Sequence, residues 1–155
     1  MPGLPLRIRN FHAEDFDELY RIDQVCFPPD IAFTRGEIVF YLSHPKSMAW
    51  LAEWDGRILG FVLARVEDGS RAHVLTLDVV PDVRQHGIGT ALMKRLHQEL
   101  RKQRIGLSIL EVGVLNTPAR RLYEKLQYRY EATLAGYYRG REDAYRMVKA
   151  VASSQ

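Results

Sequence analysis

The stretch Val79-Val80-Pro81-Asp82-Val83-Arg84-Gln85-His86-Gly87-Ile88-Gly89-Thr90-Ala91-Leu92 decides the architecture. Its apolar opening reads as the end of a strand from His73 to Val80, which Pro81 stops because it has no N–H to donate. Its close opens an amphipathic helix from Gly87 to about Lys102, with Ile88, Leu92, Leu96 and Leu100 on one stripe. Between them lies a Gly-x-Gly loop. Unpaired N–H groups at a helix start, backed by the positive end of the helix dipole, suit an anion such as phosphate. Glycine lets the backbone approach it without a Cβ in the way. No Gly-Lys-Ser/Thr follows, so this is not a P-loop. The third glycine of a dinucleotide fingerprint is missing too. A glycine turn that merely starts a helix fits the spacing as well.

Outward from this stretch, the hydrophobic period alternates between strand and helix. Leu6–Arg9 reads as a strand and Ala13–Cys26 as a helix ended by Pro28 and Pro29. Thr34 caps a second helix to Ser43, with Glu37 completing a capping box. Met48–Trp54 and Arg57–Val66 flank Asp55-Gly56 as a hairpin. After the glycine-loop helix come a strand at Leu107–Val114 and a helix at Thr117–Leu126 with Pro118 in its first turn. Strands at Tyr128–Leu134 and Ala144–Val151 follow. The order β-α-α-β-β-β-α-β-α-β-β predicts a mixed α/β layer fold on one sheet.

The length of 155 residues suits one domain over 1–155. With 46% hydrophobic and 26% charged residues the chain can bury a core, which excludes a disordered chain. The lone Cys26 excludes an internal disulfide and a cysteine zinc cluster; its helical spacing predicts a core thiol rather than a nucleophile. His12, His44, His86 and His97 lack metal-ligand spacing, so no metal is expected. The start MPGLPLRIRN lacks a signal-peptide apolar run, and no stretch is long and apolar enough to span a bilayer. The expectation is a cytoplasmic protein, monomeric or a weak homodimer, with no membrane and no direct nucleic-acid partner.

The net charge of +3 hides an asymmetry. Glu14, Asp15, Asp17, Glu18, Asp23 and Asp30 make the first helix region acidic, whereas Arg84, Lys94, Arg95, Arg101, Lys102 and Arg104 make the middle basic. An anion would prefer the second region and a cationic amine the first. Two solvated helix faces would look the same.

Arg84-x-x-Gly87-x-Gly89 after a strand resembles the acyl-CoA pyrophosphate loop of the GNAT family of N-acetyltransferases, and the element order matches along nearly the whole chain. Leu110-Glu111-Val112 with Asn116, then Ala119 and Leu122-Tyr123-Glu124-Lys125-Leu126, is similar to a block of the protein N-terminal acetyltransferases. Gly136-Tyr137-Tyr138 and Glu142-Asp143-Ala144 resemble a second. Bacterial ribosomal-protein-alanine N-acetyltransferases and their archaeal and eukaryotic relatives belong to that branch.

The resemblance implies one mixed central sheet of about seven strands with helices on both faces, acetyl-CoA as co-substrate, and a protein or peptide N-terminal α-amine as acceptor, a ribosomal protein among the candidates. Transfer would proceed by direct attack in a ternary complex. Such an amine has a pKa of about 7.7–8.0 and attacks only when neutral. Glu111 interrupts an apolar strand and is implied as the base; His73 is a second base or a water-holder. Tyr123 would protonate the leaving thiolate. Arg84, Gln85, His86, Gly87, Ile88, Gly89 and Thr90 would hold the pyrophosphate. The Leu77 and Val79 backbones and the Asn116 side chain would hold the pantetheine arm, with an oxyanion donor near Asp78 or Val79. Phe27, Pro28, Tyr137 and Tyr138 would face the acceptor. Gln127, Gly113 and Asp78 depart from the family pattern, and the loop Arg139–Glu142 is short. A small amine or a lysine side chain is the alternative acceptor, and a non-catalytic acyl-CoA-binding module the alternative class.

Overall fold

A computed structural model describes residues 5–138 and 142–151. The strands are β1 (Arg7–Asn10), β2 (Ser47–Trp54), β3 (Arg57–Glu67), β4 (Arg71–Val79), β5 (Leu107–Gly113), β6 (Arg129–Tyr138) and β7 (Glu142–Ala150). The helices are α1 (Phe16–Cys26), α2 (Arg35–Ser43), α3 (Ile88–Lys102) and α4 (Thr117–Lys125). The strands form one seven-stranded sheet in the order β1-β2-β3-β4-β5-β7-β6. It is mixed: β4 and β5 pair in parallel, whereas β5 with β7 and β6 with β7 are antiparallel. No described helix is long and apolar enough to cross a membrane.

The expected order of elements is observed, with shifted edges. The first helix opens as a 3-10 turn at Ala13–Asp15 and becomes α-helical at Phe16. The last two strands extend beyond Leu134 and begin before Ala144, because Gly136 takes φ +60° and the ladder resumes across a bulge at Tyr138↔Glu142. The expected short loop at Arg139–Glu142 lies outside the described residues apart from Glu142.

The chain divides into two compact units. One comprises the chain to Arg65 together with Leu75–Leu96. Its buried side chains include Leu19, Ile22, Ile38, Leu51, Phe61, Leu63, Ile88 and Leu92. Each such side chain contributes about 1.5–3 kcal/mol by leaving water. The Thr34 hydroxyl accepts from the Glu37 N–H and the Glu37 carboxylate accepts from the Thr34 N–H, closing the expected capping box of α2.

The other unit comprises Val66–Val74 and the chain from His97. Leu100, Leu110, Val112, Tyr123, Tyr128, Met147 and Val148 are buried there. A polar chain runs through it: the Tyr128 hydroxyl lies 2.8 Å from both His97 Nε2 and Ser108 Oγ. Burial, aided by the charges of Lys149 and Arg101, pushes His97 down to about 4.

Candidate active site

The second unit gathers a charged cluster from five strands. Along β4 the side chains alternate between buried and half-exposed, and His73 falls on the half-exposed set. His73 pairs in register with Ile109 of β5, so Glu111, two residues on, shares its face as a diagonal neighbour. The ring Nε2 lies 2.5 Å from Glu111 Oε1, and Nδ1 lies 3.2 Å from Glu67 Oε2 at the end of β3. Arg146 of β7 stands opposite Glu111 in the ladder and donates from Nε to Oε2 at 3.2 Å. The Tyr137 hydroxyl of β6 donates to Oε1 at 3.1 Å. Positive φ at Gly136, whose N–H donates to Asp143 Oδ1, leads the strand into the bulge that carries Tyr137.

This surrounding decides the charges. The Glu111 side chain is only 5% exposed, and burial pushes its carboxyl up. Hydrogen bonds and charge from His73, with the Arg146 and Tyr137 donors, outweigh burial and hold it below the usual carboxylate range. Burial pushes His73 down, but Glu111 first and then Glu67 outweigh it and raise the imidazole. The resting pair is therefore carboxylate and imidazolium. Burial and then the charge of Glu111 push the Tyr137 hydroxyl above its usual range; the same causes, with Glu142, push Tyr138 up to about 12.

Tyr123 on α4 is buried, its ring edge-on to Tyr128 with centroids 5.8 Å apart. Asn116 caps α4, its Oδ1 accepting from the Ala119 N–H at 3.3 Å. A Cβ on Gly113 would meet the end of the flexible Glu142 side chain, which would have to move aside.

The first unit holds the glycine loop. Gln85 and Gly87 take φ +68° and +79°, and open space surrounds Gly87 where a Cβ would stand. The Ala91 N–H donates to the Gly87 carbonyl, so Ile88, Gly89 and Thr90 contribute N–H groups without an acceptor in the helix. Arg84, Gln85, His86 and Gly87 are exposed. The Arg84 Nε donates 2.9 Å to the Val79 carbonyl, which also accepts from the Cys26 thiol. That carbonyl, expected to serve a pantetheine arm with Leu77, is thus engaged within the protein. Burial, then Asp78, pushes the Cys26 thiol up to about 11, in keeping with an inert half-buried thiol.

Asp78, a departure from the family pattern, is part of a buried acid pair. Asp78 Oδ1 accepts from the Thr76 hydroxyl and Asp23 Oδ2 accepts from the Phe33 N–H. The two remaining oxygens, Asp78 Oδ2 and Asp23 Oδ1, have no other donor, and the carboxyls are within hydrogen-bond reach of each other. Burial raises both groups, so one carboxyl keeps its proton and donates it across the pair.

The expected acidic face for an incoming amine is corrected. Asp15 binds Arg9 through two hydrogen bonds of 2.9 Å, Asp17 meets Arg35, Glu18 meets Arg21, and Asp23 is buried. Arginines neutralise Asp15, Asp17 and Glu18, and Asp23 is withdrawn from solvent, so these acids do not form one uncompensated negative field. Phe27 follows α1, its N–H bonded to the Asp23 carbonyl; the Pro28 carbonyl accepts from Ile31 and Ala32.

The acetyltransferase (GNAT) family model matches residues 16–128. The chain belongs to the GNAT acetyltransferase family. It is an N-acetyltransferase. It is 31% identical to an N-alpha-acetyltransferase of Sulfurisphaera tokodaii, over 94% of this chain and 93% of that one. The crystal structure of Ard1 from Thermoplasma volcanium matches with a TM-score of 0.86 at 28% identity, covering 95% and 98% of the two chains. The ribosomal-protein-S18-alanine N-acetyltransferase of Escherichia coli shares the fold, with a TM-score of 0.88 at 24% identity and 97% coverage of both. In this acetyltransferase the structure brings His73, Glu111 and Tyr137 together, as three of the residues singled out in sequence. Glu67 and Arg146 escaped notice. The Asp68-Gly69 turn signal placed Glu67 and His73 on one hairpin, and the antiparallel register of β7 placed Arg146 opposite Glu111.

Proposed function

We propose that this acetyltransferase transfers the acetyl group of acetyl-CoA to the α-amine of a protein or peptide N-terminus, by direct attack in a ternary complex and as one acyltransferase domain. The observation that carries the proposal is the Glu111–His73 pair with the Tyr137 hydroxyl on the same carboxylate oxygen. A carboxylate held low is by itself a weak base for an ammonium. Coupled to an imidazole at hydrogen-bond distance it forms a unit that can take the amine's proton once the imidazolium has titrated.

The open glycine loop and the free N–H groups of Ile88, Gly89 and Thr90 support pyrophosphate binding, with Arg84, Gln85 and His86 around it. Leu77 and Val79 lie on the strand that would accompany the pantetheine arm, and the Asn116 side chain, whose oxygen caps α4, would steady it. The amine nitrogen forms a bond to the thioester carbonyl carbon as its proton goes to the Glu111–His73 pair. The carbon–sulfur bond then breaks, and the Tyr123 hydroxyl protonates the departing thiolate. Tyr137 and Tyr138, on the strand beside Glu111, hold the acceptor backbone.

A panel of N-terminal peptides and small amines, assayed for coenzyme A release from acetyl-CoA, tests this. Turnover on peptides with a free α-amine, abolished by blocking that amine, is the expected result. Turnover on small amines or lysine side chains alone would overturn the acceptor assignment, and no turnover with tight acetyl-CoA binding would favour a binding module.

A further inference from the structure

We propose that Glu67 is a positioning residue of the acceptor-side proton machinery: its carboxylate holds the His73 ring through Nδ1 so that Nε2 is presented to Glu111. This rests on assigning the Glu111–His73 pair as proton acceptor.

Each ring nitrogen of His73 meets a different carboxylate, Glu67 Oε2 at 3.2 Å and Glu111 Oε1 at 2.5 Å. The two approach opposite sides of the ring, so they bracket it rather than converge on a shared point. Rotating the ring by half a turn would put carbon atoms where both nitrogens stand and lose both contacts. The resting ring is the imidazolium, donating from Nδ1 to Glu67 and from Nε2 to Glu111; titration of the Nε2 proton gives the neutral form in which the pair can accept one, while Nδ1–H stays on Glu67. A proton from the ammonium then ends on the pair at Nε2, and the imidazolium formed lies between two carboxylates. This is the orienting role that a buried carboxylate plays toward a catalytic imidazole in hydrolase triads. The ends of the array differ. Glu111 is 5% exposed, with Arg146 and Tyr137 on it, whereas Glu67 is 24% exposed and has Arg71 Nε 3.6 Å away.

Glu111 of β5 and Glu67 of β3 set the charge on His73; around those two carboxylates stand Asp68 of the turn, Arg71 of β4, Tyr137 of β6 and Arg146 of β7. Burial lowers the imidazole, and the two carboxylates together outweigh it, so each contributes to keeping the ring protonated.

The test is Glu67→Gln in the full chain. Glutamine keeps an oxygen that can accept from Nδ1–H and removes the charge. Two readouts are taken. One is the His73 titration and tautomer, followed by imidazole NMR on the free enzyme. The other is the pH profile of kcat/KM with acetyl-CoA and the acceptor that the peptide and amine panel selects. The expected result is a lower His73 pKa in Glu67→Gln, an acidic limb displaced to lower pH by the same amount, and an unchanged KM for acetyl-CoA. Glu67→Ala is expected to lose about tenfold or more in kcat, as second-tier orienting carboxylates do elsewhere, with Glu67→Asp recovering part of it. A His73 titration that does not move in Glu67→Gln overturns the positioning role alone. A wild-type profile with no limb at the His73 titration overturns the assignment of the pair on which it rests. A lower plateau with an unmoved limb would reduce Glu67 to a structural residue and also overturn the proposal.

Discussion

His73 Nε2 stands 2.5 Å from Glu111 Oε1, closer than the roughly 2.7–2.9 Å of a charge-assisted N–H···O bond. Each group shifts the other, the carboxylate held low and the imidazole held high, so their titrations are coupled. Glu111→Gln keeps shape and removes both the charge and the basicity. We expect kcat to fall by about 10²–10⁴-fold, the usual worth of a general base, with the Kd for acetyl-CoA within about twofold of wild type. His73→Asn should fall comparably, and the double variant little further, because the residues act as a unit. Stopped-flow turnover with isothermal titration of the coenzyme checks both. Near-normal turnover in Glu111→Gln would remove the assignment.

Tyr123 is expected to supply the proton that leaves with coenzyme A. Its ring packs edge-on against Tyr128, so Tyr123→Phe keeps the packing and removes the hydroxyl. We expect kcat to drop by about 10²-fold or more, and stability to change by about 1 kcal/mol, the net worth of one hydrogen bond. A thioester with a better leaving group should recover most of the loss. A drop that such an acyl donor does not recover would show that the hydroxyl serves elsewhere.

The division between what could and could not be read from the chain has a physical basis. Local signals read correctly: the Asp55-Gly56 turn, the Thr34–Glu37 box and the stripe Ile88–Leu92–Leu96–Leu100 each rest on interactions within a few residues. Glu111, His73 and Tyr137 were named through a pattern in which their separation along the chain did not matter. Glu67 and Arg146 were missed because only strand register brings them to the pair, and register depends on turns and bulges. The Asp23–Asp78 pair was missed for the same reason, since β4 and α1 meet far apart in sequence. The acidic first helix misled because counting charges along Glu14–Asp30 carries no knowledge of Arg9 and Arg35, which fold beside it from outside that stretch.

The Asp23–Asp78 pair makes stability depend on pH in a particular direction. Burial raises both carboxyls in the folded state above their unfolded value near pH 4. Folding therefore favours the protonated form. The contribution is present below the unfolded pKa and is lost as pH rises through the folded one. Asp78→Asn places an amide N–H2 at the oxygen that faces Asp23, leaving its carbonyl for Thr76, so the donor no longer depends on a proton. We expect the variant to match or exceed wild type at pH 8 and to lose the decline between about pH 4 and 8. Urea unfolding across that range measures it; a variant less stable than wild type at pH 8 would contradict the shared proton.

His97 acts at the opposite end. It is buried beside Tyr128 and pushed down to about 4, so the folded state binds it neutral. A lowered histidine contributes stability that is complete above the unfolded pKa near 6.5 and is lost as pH falls from there to the folded value. The shift corresponds to on the order of 3 kcal/mol between pH 7 and 4. His97→Gln keeps a nitrogen within reach of the Tyr128 hydroxyl but does not titrate. Its unfolding free energy should be lower than wild type at pH 7 and converge on it as pH approaches 4. Parallel curves for the two proteins would place the acid sensitivity in other groups.

The end of α4 shows a conformational cost that substitution can remove. Gln127 sits in the left-handed region at φ +71°, where relatives of the resembling pattern have glycine. The surrounding bonds are those of a Schellman cap: the Tyr128 N–H donates to the Tyr123 carbonyl and the Gln127 N–H to the Glu124 carbonyl, both at 2.9 Å. A Cβ in this region costs about 1–2 kcal/mol, against which glycine loses part through its greater freedom when unfolded. Gln127→Gly should stabilise the protein by about 0.5–1 kcal/mol, a Tm increase of about 1–4 °C. Arg104 holds the same position after α3 at φ +60°, with the Ile105 N–H on the Leu100 carbonyl. Arg104→Gly should therefore gain by a similar amount, and the two gains should add, since the caps share no partner. Calorimetry of both single variants and the double decides it. A lower Tm in Gln127→Gly would mean that the Gln127 side chain makes a contact worth more than the backbone strain it imposes.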